Sequence, residues 1–133
     1  MRVVLCNGVF DLLHVAHVRH LQQAARCGSR LVVGVTRDAG VNKRGRPVIP
    51  EIERLEMVLA LSCVDDAALC DDSLDALRQW KPDVFCKGAD YNKKGLLDAE
   101  IEYCRENGIN IMFTDENPQT TTNIIERSRN GYQ

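Results

Sequence analysis

Hydrophobic residues in this chain follow two arrangements, short continuous runs and positions three or four residues apart. The run at 31–36 is continuously apolar, which is typical of a strand covered on both faces. Residues 15–27 carry apolar side chains at the helical period, and Gly28 ends that segment. The same reasoning predicts strands at 2–6, 31–36, 64–70, 83–86 and 109–114, and helices at 15–27, from Pro50 through Leu59, at 73–80, at 96–107 and at 121–129.

The predicted strands and helices alternate along the whole chain and are connected by short loops. This order favours a parallel sheet with helices on both faces. We therefore expect an α/β fold, a Rossmann-like three-layer sandwich with a mostly parallel five-stranded sheet. A chain of 133 residues corresponds to one domain, which we expect to span 1–133. Ligands of such sheets bind at the carboxyl ends of the strands, so chemistry is expected after residues 6, 36, 70, 86 and 114.

Composition and charge narrow the classes of function. Hydrophobic residues make up 44% and charged residues 27%, which is typical of a soluble globular protein. The net charge of −2 argues against a general nucleic-acid binder, yet it permits a local basic pocket. The apolar runs are too short for a membrane span, and we expect the N-terminal segment to be a first strand rather than a secretion signal. We expect a cytoplasmic protein without a membrane or nucleic-acid partner.

The six cysteines do not form a metal-binding or disulfide pattern. No two are closer than seven residues, so there is no C-x-x-C pair. Most of them lie in apolar runs. We expect free and mostly buried thiols in a reducing compartment.

The three histidines of the chain, His14, His17 and His20, lie within seven residues after the first strand. Gly8 allows a tight turn that exposes backbone N–H groups, and a helix N-terminus favours an anion. Two imidazoles three residues apart are neighbours on a helix and, when protonated, both donate to phosphate oxygens. This pattern predicts a site where negative charge builds on a phosphorus centre.

Other interpretations of these histidines stay open. Asp11 and the three histidines are spaced by three residues, so the outer two would point about 180° apart and cannot share a metal. The pair His14 and His17 remains a candidate for metal ligation, or for a purely structural role in capping or at the surface. His20 is interpreted as a surface residue.

Residues 8–17, GVFDLLHVAH, resemble the signature G-x-F-D-x-x-H-x-G-H of the small cytidylyltransferase-like nucleotidyltransferases. Residues 120–125, TTTNII, resemble a second family segment, S-T-T-x-I-I. The resemblance runs from end to end and implies that a nucleoside triphosphate gives its nucleotidyl group to a phosphomonoester. The chain departs from these patterns at Ala16, which replaces the glycine between the histidines, and at Thr120, which replaces the serine of the second segment. Asp115 stands where glycerol-3-phosphate cytidylyltransferases have an arginine, which the heptose-type enzymes also lack.

The resemblance assigns roles to residues along the chain. His14 and His17 are expected to be catalytic, with Lys43 and Arg46 from a basic loop. The residues expected to bind the nucleotide are Gly8, Val9, Phe10, Asp11, Ala16, Lys87, Gly88, Asp90, Thr120, Thr121 and Thr122. The residues expected to contact the acceptor or phosphates are Arg44, Arg54 and Tyr91. Mg²⁺ is the implied cofactor, held mainly by the triphosphate, with Asp11 as a candidate ligand.

Each assignment has a plainer alternative. The basic loop is expected to be a flexible lid over the phosphates, or else a solvated charged loop. Arg54 has the alternative of an ion pair with Glu51 or Glu53 on its own helix. The alternative for the segment at 87–91 is an ordinary polar turn. The alternative for Thr120–Thr122 is an ordinary helix cap, and the alternative for Asp11 is an acidic residue at the start of a helix.

The predicted function is transfer of a nucleotidyl group from CTP or ATP to a sugar- or polyol-phosphate, with release of pyrophosphate. The product would be an activated surface-glycan precursor, as for glycerol-3-phosphate cytidylyltransferases or heptose-1-phosphate adenylyltransferases, and the resemblance also suggests a homodimer. One alternative is a nucleotide-binding regulator that lost turnover through Ala16. Another is a relative of the class I tRNA synthetases, which share H-x-G-H, although the chain is short and lacks a Lys-Met-Ser-Lys-Ser stretch.

Overall fold

The computed structural model describes residues 1–41, 45–89 and 95–115. Strands and helices alternate through this part of the chain, with a short 3-10 helix at Asp38–Gly40. None of the helices in these ranges has the length and apolar character needed to cross a membrane. The elements are β1 Val3–Gly8, α1 Val15–Ala25, β2 Arg30–Thr36, α2 Glu51–Leu59, β3 Asp66–Cys70, α3 Ser73–Trp80, β4 Val84–Lys87, α4 Asp98–Glu106 and β5 Asn110–Phe113.

The strands form one parallel sheet in the order β3-β2-β1-β4-β5. This arrangement confirms the predicted α/β, Rossmann-like fold. The direction of strand order reverses between β1 and β4, so the loops that follow these two strands diverge and leave a crevice at the carboxyl edge. The helix predicted at 121–129 lies outside the described residues.

β1 extends two residues beyond its predicted end. Asn7 and Gly8 pair with Gly34 and Val35 of β2, and the Asn7 side-chain amide donates to the Gly34 carbonyl at 3.0 Å. A side chain at position 34 would crowd that amide, because a Cβ there would lie 3.1 Å from Asn7 Nδ2. Pairing with the neighbouring strand therefore determines where β1 ends.

Apolar side chains from alternate strand positions fill one core on each face of the sheet. On one face, α1 and α2 cover a core that includes Val4, Leu21, Val33 and Val58. On the other face, α3 and α4 cover a core that includes Leu5, Val32, Leu77, Phe85 and Cys104. Each large apolar side chain buried in this way contributes about 1.5–3 kcal/mol. The two cores hold the carboxyl edge of the sheet as a firm base for the loops.

The cysteines are free, as the sequence predicts. Cys27 and Cys63 are partly buried, and the other four, Cys6, Cys70, Cys86 and Cys104, are buried. Cys6 and Cys86 belong to the core beneath α1 and α2.

Candidate active site

The loop between β1 and α1 has a strained backbone at the carboxyl edge of the sheet. Phe10 and Leu12 have positive φ angles of 54° and 50°, a region that costs a non-glycine residue about 1–3 kcal/mol. Phe10 is only 6% exposed, and a Cβ at Gly8 would lie 3.0 Å from its Cε2 atom. The buried Phe10 ring holds this turn in place, and the missing side chain of Gly8 makes room for that ring.

His14 and His17 form a reciprocal cap at the start of α1. Nδ1 of His14 accepts a hydrogen bond from the Ala16 backbone N–H at 3.2 Å, and Nδ1 of His17 accepts one from the His14 backbone N–H at 3.1 Å. The two ring centroids are 4.0 Å apart. Because each Nδ1 accepts, the neutral imidazoles carry their protons on Nε2. The structural capping role is therefore real, and it presents both rings as Nε2–H donors.

Both imidazoles are neutral at pH 7. Burial and the neighbouring His14 lower the pKa of His17 to about 4, and burial also lowers the pKa of His14. The hydrogen-bond donors of the pair are therefore neutral imidazoles. Within the described residues, His14 Nε2 is buried and has no hydrogen-bond partner. A buried donor left in this state costs about 1–3 kcal/mol, so this atom is a candidate contact for a ligand oxygen.

Asp11 is a buried anchor for the basic loop. The residue is 1% exposed, and its carboxylate accepts hydrogen bonds from the backbone N–H groups of Val48 and Ile49 at 2.8 and 2.9 Å. Arg46 Nε donates to the same carboxylate at 2.7 Å. Burial alone would raise the pKa of Asp11, but these backbone and guanidinium donors outweigh it and lower the pKa. Asp11 therefore fixes the polypeptide around Arg46.

This geometry corrects two expectations. Arg46 is not part of a flexible lid, because its side chain is 13% exposed and held by Asp11. Asp11 does not suit a magnesium ligand, because its oxygens already face three N–H donors. Nor do the described residues contain a group of three His, Cys, Asp or Glu side chains arranged to hold a metal.

Arg54 is a buried hub that joins three segments. It lies on α2 and is 1% exposed. Its Nη1 donates to the carbonyls of Val9 at 2.6 Å and Thr36 at 2.8 Å. Its Nε donates to the carbonyl of Ile49 at 2.9 Å, and its Nη2 pairs with Asp38 at 2.6 Å. The expectation that Arg54 contacts the triphosphate or acceptor is corrected, as is the alternative of an ion pair within its own helix. It positions the strained loop, the end of β2 and the basic loop relative to one another.

Lys87 ends β4 in a buried and charged environment. It is 6% exposed, and its Nζ lies 3.7 Å from Oε2 of Glu100, which is 3% exposed. The ammonium also lies 5.2 Å from the centroid of the Phe85 ring. Burial lowers the pKa of Lys87, whereas Glu100 raises it. Because β4 borders β1, Lys87 and the adjacent Gly88 lie along the same crevice as the histidine pair.

His20 is not the surface residue that the sequence suggests. It is partly buried, and its Nδ1 lies 2.8 Å from Thr114 Oγ1. Burial, with a smaller effect of nearby Lys87, lowers the pKa of His20 to about 4. One turn later, Gln23 accepts from the Asp115 backbone N–H at 2.8 Å. α1 therefore holds the chain that leaves β5.

The loop after β1 brings together the predicted residues Gly8, Val9, Phe10, Asp11, His14, Ala16 and His17. Ala16 lies in the first turn of α1, where its N–H binds His14. Predicted site residues that lie outside the described residues are Lys43, Arg44, Asp90, Tyr91, Thr120, Thr121 and Thr122.

Sequence reasoning did not single out Glu100. A local signal was present, because a Glu at the third position of a helix is a capping-box residue. Its Oε1 accepts from the Leu97 backbone N–H at 3.1 Å. Its pairing with Lys87 depends on the packing of α4 beside β4, which no local pattern reveals.

Comparison with known proteins finds relatives over most of the chain. A family model described as cytidylyltransferase-like matches residues 5–127. The bifunctional protein HldE of Citrifermentans bemidjiense is 39% identical over 137 residues, and that of Geotalea uraniireducens is 40% identical over 136 residues. Each alignment covers 98% of this chain, which spans only 28% and 27% of the length of those two proteins.

A solved structure is similar as well. The crystal structure of the lipopolysaccharide core biosynthesis protein from Thermoplasma volcanium GSS1 matches with a TM-score of 0.75 and 31% sequence identity. The match covers 88% of this chain and 98% of that one.

Proposed function

We propose that this chain, a nucleotidyltransferase domain that belongs to the cytidylyltransferase-like family, moves a nucleotidyl group from ATP or CTP to a sugar- or polyol-phosphate and releases pyrophosphate. The observation that carries the proposal is the pair of Nε2–H donors of His14 and His17 beside the crevice between β1 and β4. Donors fixed before the substrate arrives stabilise the charge that develops on phosphoryl oxygens in the transition state.

The proposed mechanism is an in-line attack by an acceptor phosphate oxygen on the α-phosphorus. The acceptor is already an anion, so no general base is needed, and the bond to pyrophosphate breaks as the new bond forms. The histidines suit this chemistry, because Nδ1 accepts a backbone N–H and Nε2 carries the proton, which leaves no nitrogen able to act as a base. Both would donate to the non-bridging oxygens of the α-phosphate.

Positive charge for the triphosphate would come from the basic loop. Asp11 holds Arg46 close to the strained turn, and Lys43 and Arg44 precede it in the same loop. Mg²⁺, bound to the triphosphate, would supply further neutralisation of its charge. Arg54 acts indirectly, by fixing the Val9 carbonyl in the turn that leads to the histidines.

A sugar phosphate is the favoured acceptor. Support comes from the similarity to a protein described as acting in lipopolysaccharide core biosynthesis, and from the match to the bifunctional HldE proteins. The product would be a nucleotide-activated precursor of a surface glycan. The proposal also includes a single domain over residues 1–133 that acts as a cytoplasmic homodimer.

The first test is pyrophosphate release with Mg²⁺. ATP, CTP, GTP and UTP are each paired with heptose 1-phosphate, glycerol 3-phosphate and other sugar and polyol phosphates. Release with one pair identifies the nucleotide and the acceptor together. No release with any pair, despite measurable binding of a triphosphate, would contradict the proposed activity and favour a regulator.

The role of the histidines is tested by separating the cap from the donor. His17→Asn keeps an acceptor near the position of Nδ1 and removes Nε2–H. We expect kcat to fall by about 10²–10³, the scale for loss of one preorganised donor, with the unfolding transition little changed. A kcat within about threefold of wild type would show that His17 does not act on the transition state.

Ala16 supports the second candidate function, a nucleotide-binding regulator. Its methyl group stands where the family signature has glycine, in the turn whose N–H binds His14. If the wild-type chain binds a triphosphate without turnover and Ala16→Gly gains pyrophosphate release, this substitution is what disables the site. If both proteins turn over at similar rates, the regulator is excluded.

A further inference from the structure

One buried pair of opposite charges, Lys87 and Glu100, has no role in the mechanism proposed above. Lys87 is 6% exposed and Glu100 is 3% exposed, and Nζ and Oε2 are 3.7 Å apart. This separation is longer than the roughly 2.7–2.9 Å of a tight charged hydrogen bond. Burial costs several kcal/mol per ion, and apolar residues of similar volume are often at least as stabilising as such a pair. Fold stability is therefore a poor reason for these two charges.

Within the part of the chain that the structure describes, groups from four elements lie near the Lys87 ammonium. α4 contributes Glu100, β4 contributes the Phe85 ring, β1 contributes Cys6 and α1 contributes His20. Cys6 and His20 are neutral at pH 7, because hydrogen bonding with Cys86 and burial raise the pKa of Cys6 and burial lowers that of His20 to about 4. Glu100 therefore supplies negative charge where burial disfavours a charged lysine.

Glu100 is itself firmly placed. Its Oε1 accepts from the Leu97 backbone N–H at the start of α4, while Oε2 faces Lys87. The carboxylate therefore connects the first turn of α4 to the end of β4. Since β4 borders β1 where the strand order reverses, the end of β4 that carries Lys87 lies beside the crevice that also receives the histidine pair.

We propose that Glu100 is a positioning residue that holds the Lys87 ammonium, in its charged form, for a phosphate group of the substrate. The inference rests on the proposed nucleotidyl transfer and adds a residue that the mechanism does not otherwise use. The phosphate belongs either to the nucleoside triphosphate or to the acceptor, and separate kinetic measurements for the two substrates distinguish these sources.

The first experiment removes the charge of Glu100 alone. Glu100→Gln retains an oxygen for the Leu97 N–H, and Glu102→Gln is the matched control on the same helix, where Glu102 is 60% exposed and pairs with Arg105. KM and kcat for each substrate are measured from about pH 6.5 to 9.5. We expect Glu100→Gln to raise KM for one substrate about tenfold at the upper end of this range, with kcat nearly unchanged. A KM profile that coincides with that of Glu102→Gln would overturn the proposal.

The second experiment covers the case in which Glu100→Gln fails to fold. Lys87→Met combined with Glu100→Leu removes both charges at similar volume, and it should remain folded, because the removal of two buried charges offsets the loss of the cap on the Leu97 N–H. We expect its KM for the same substrate to rise about 10–100-fold, the scale of a lost charged hydrogen bond. A folded double variant with wild-type KM would show that the pair is structural only.

A third measurement does not depend on turnover. With ¹³C-labelled lysine, the Lys87 side-chain NMR signal is titrated with pH in wild type, Glu100→Gln and Glu102→Gln. We expect a lower Lys87 pKa in Glu100→Gln than in the other two proteins, and an equal pKa in all three would overturn the role of Glu100. If wild type releases no pyrophosphate with any substrate pair, the proposed function fails, while this titration still decides what Glu100 does.

Discussion

Replacing Arg54 tests whether this residue supports the structure or binds a ligand. Arg54→Met keeps most of the aliphatic stem and removes the donors that reach the carbonyls of Val9, Thr36 and Ile49. A buried carbonyl left without a donor costs about 1–3 kcal/mol; the Thr36 carbonyl is buried, and those of Val9 and Ile49 are partly buried and lose less. Asp38 is 45% exposed and is resolvated at little cost. After partial relaxation we expect a loss of about 4 kcal/mol, a large part of the roughly 5–15 kcal/mol that stabilises a domain.

Arg54→Lys refines this prediction. One ammonium cannot reproduce the planar fork that reaches several carbonyls in different directions, so we expect this variant to lose about 2 kcal/mol. Urea unfolding at pH 7 measures both variants, followed by the fluorescence of the single tryptophan, Trp80. Arg105→Met is the control, because its side chain is 73% exposed, and it should stay within about 0.5 kcal/mol of wild type.

The result that would refute this reasoning is equally specific. A stable Arg54→Met protein with an unchanged unfolding midpoint and a raised KM for the nucleotide would show that Arg54 contacts the triphosphate. A protein destabilised as expected should also lose kcat, because the Val9 carbonyl leads into the turn that carries the histidines.

Two further predictions follow from buried charges and imidazoles. Asp11→Asn should lower the free energy of unfolding by about 3 kcal/mol, because it leaves Arg46 without its buried partner. Urea unfolding measures the loss, and a variant as stable as wild type would contradict the anchoring role of Asp11. The pKa values of His17 and His20, about 4, lie below the 6.5 of an ordinary histidine, so the unfolded chain binds more protons between these limits. The free energy of unfolding should therefore keep its full value above about pH 6.5 and fall as the pH drops toward 4. The fall should be shallower in His20→Gln, and equal slopes in the two proteins would contradict a contribution from His20.

The parts of the fold that sequence predicted well depend on local signals. α3 was predicted at 73–80 and observed at Ser73–Trp80, because Asp72 caps it through a hydrogen bond from the Asp75 N–H and Pro82 follows its end. The parallel pairing of the strands agrees with the alternation of strands and helices, because parallel strands need crossover connections.

The candidate site was predicted less completely, because its organisation depends on distant partners. Arg46 is held by a carboxylate 35 positions away, and Arg54 reaches a carbonyl 45 positions away. A charged residue in a loop or on a helix has the same local pattern whether it faces a ligand or the protein interior. His20 illustrates this limit, because only the packing of α1 against the end of β5 brings it to Thr114.

The reciprocal cap of His14 and His17 has a consequence for how such chains diverge in evolution. Each ring secures a backbone amide of α1 through Nδ1, so replacing either histidine also weakens the start of the helix. A descendant that no longer needs catalysis would still need a side-chain acceptor at both positions, which histidine already supplies. The presence of the two histidines in a related sequence is therefore weak evidence for enzymatic function. The residues around their Nε2 atoms, including residue 16, are more informative.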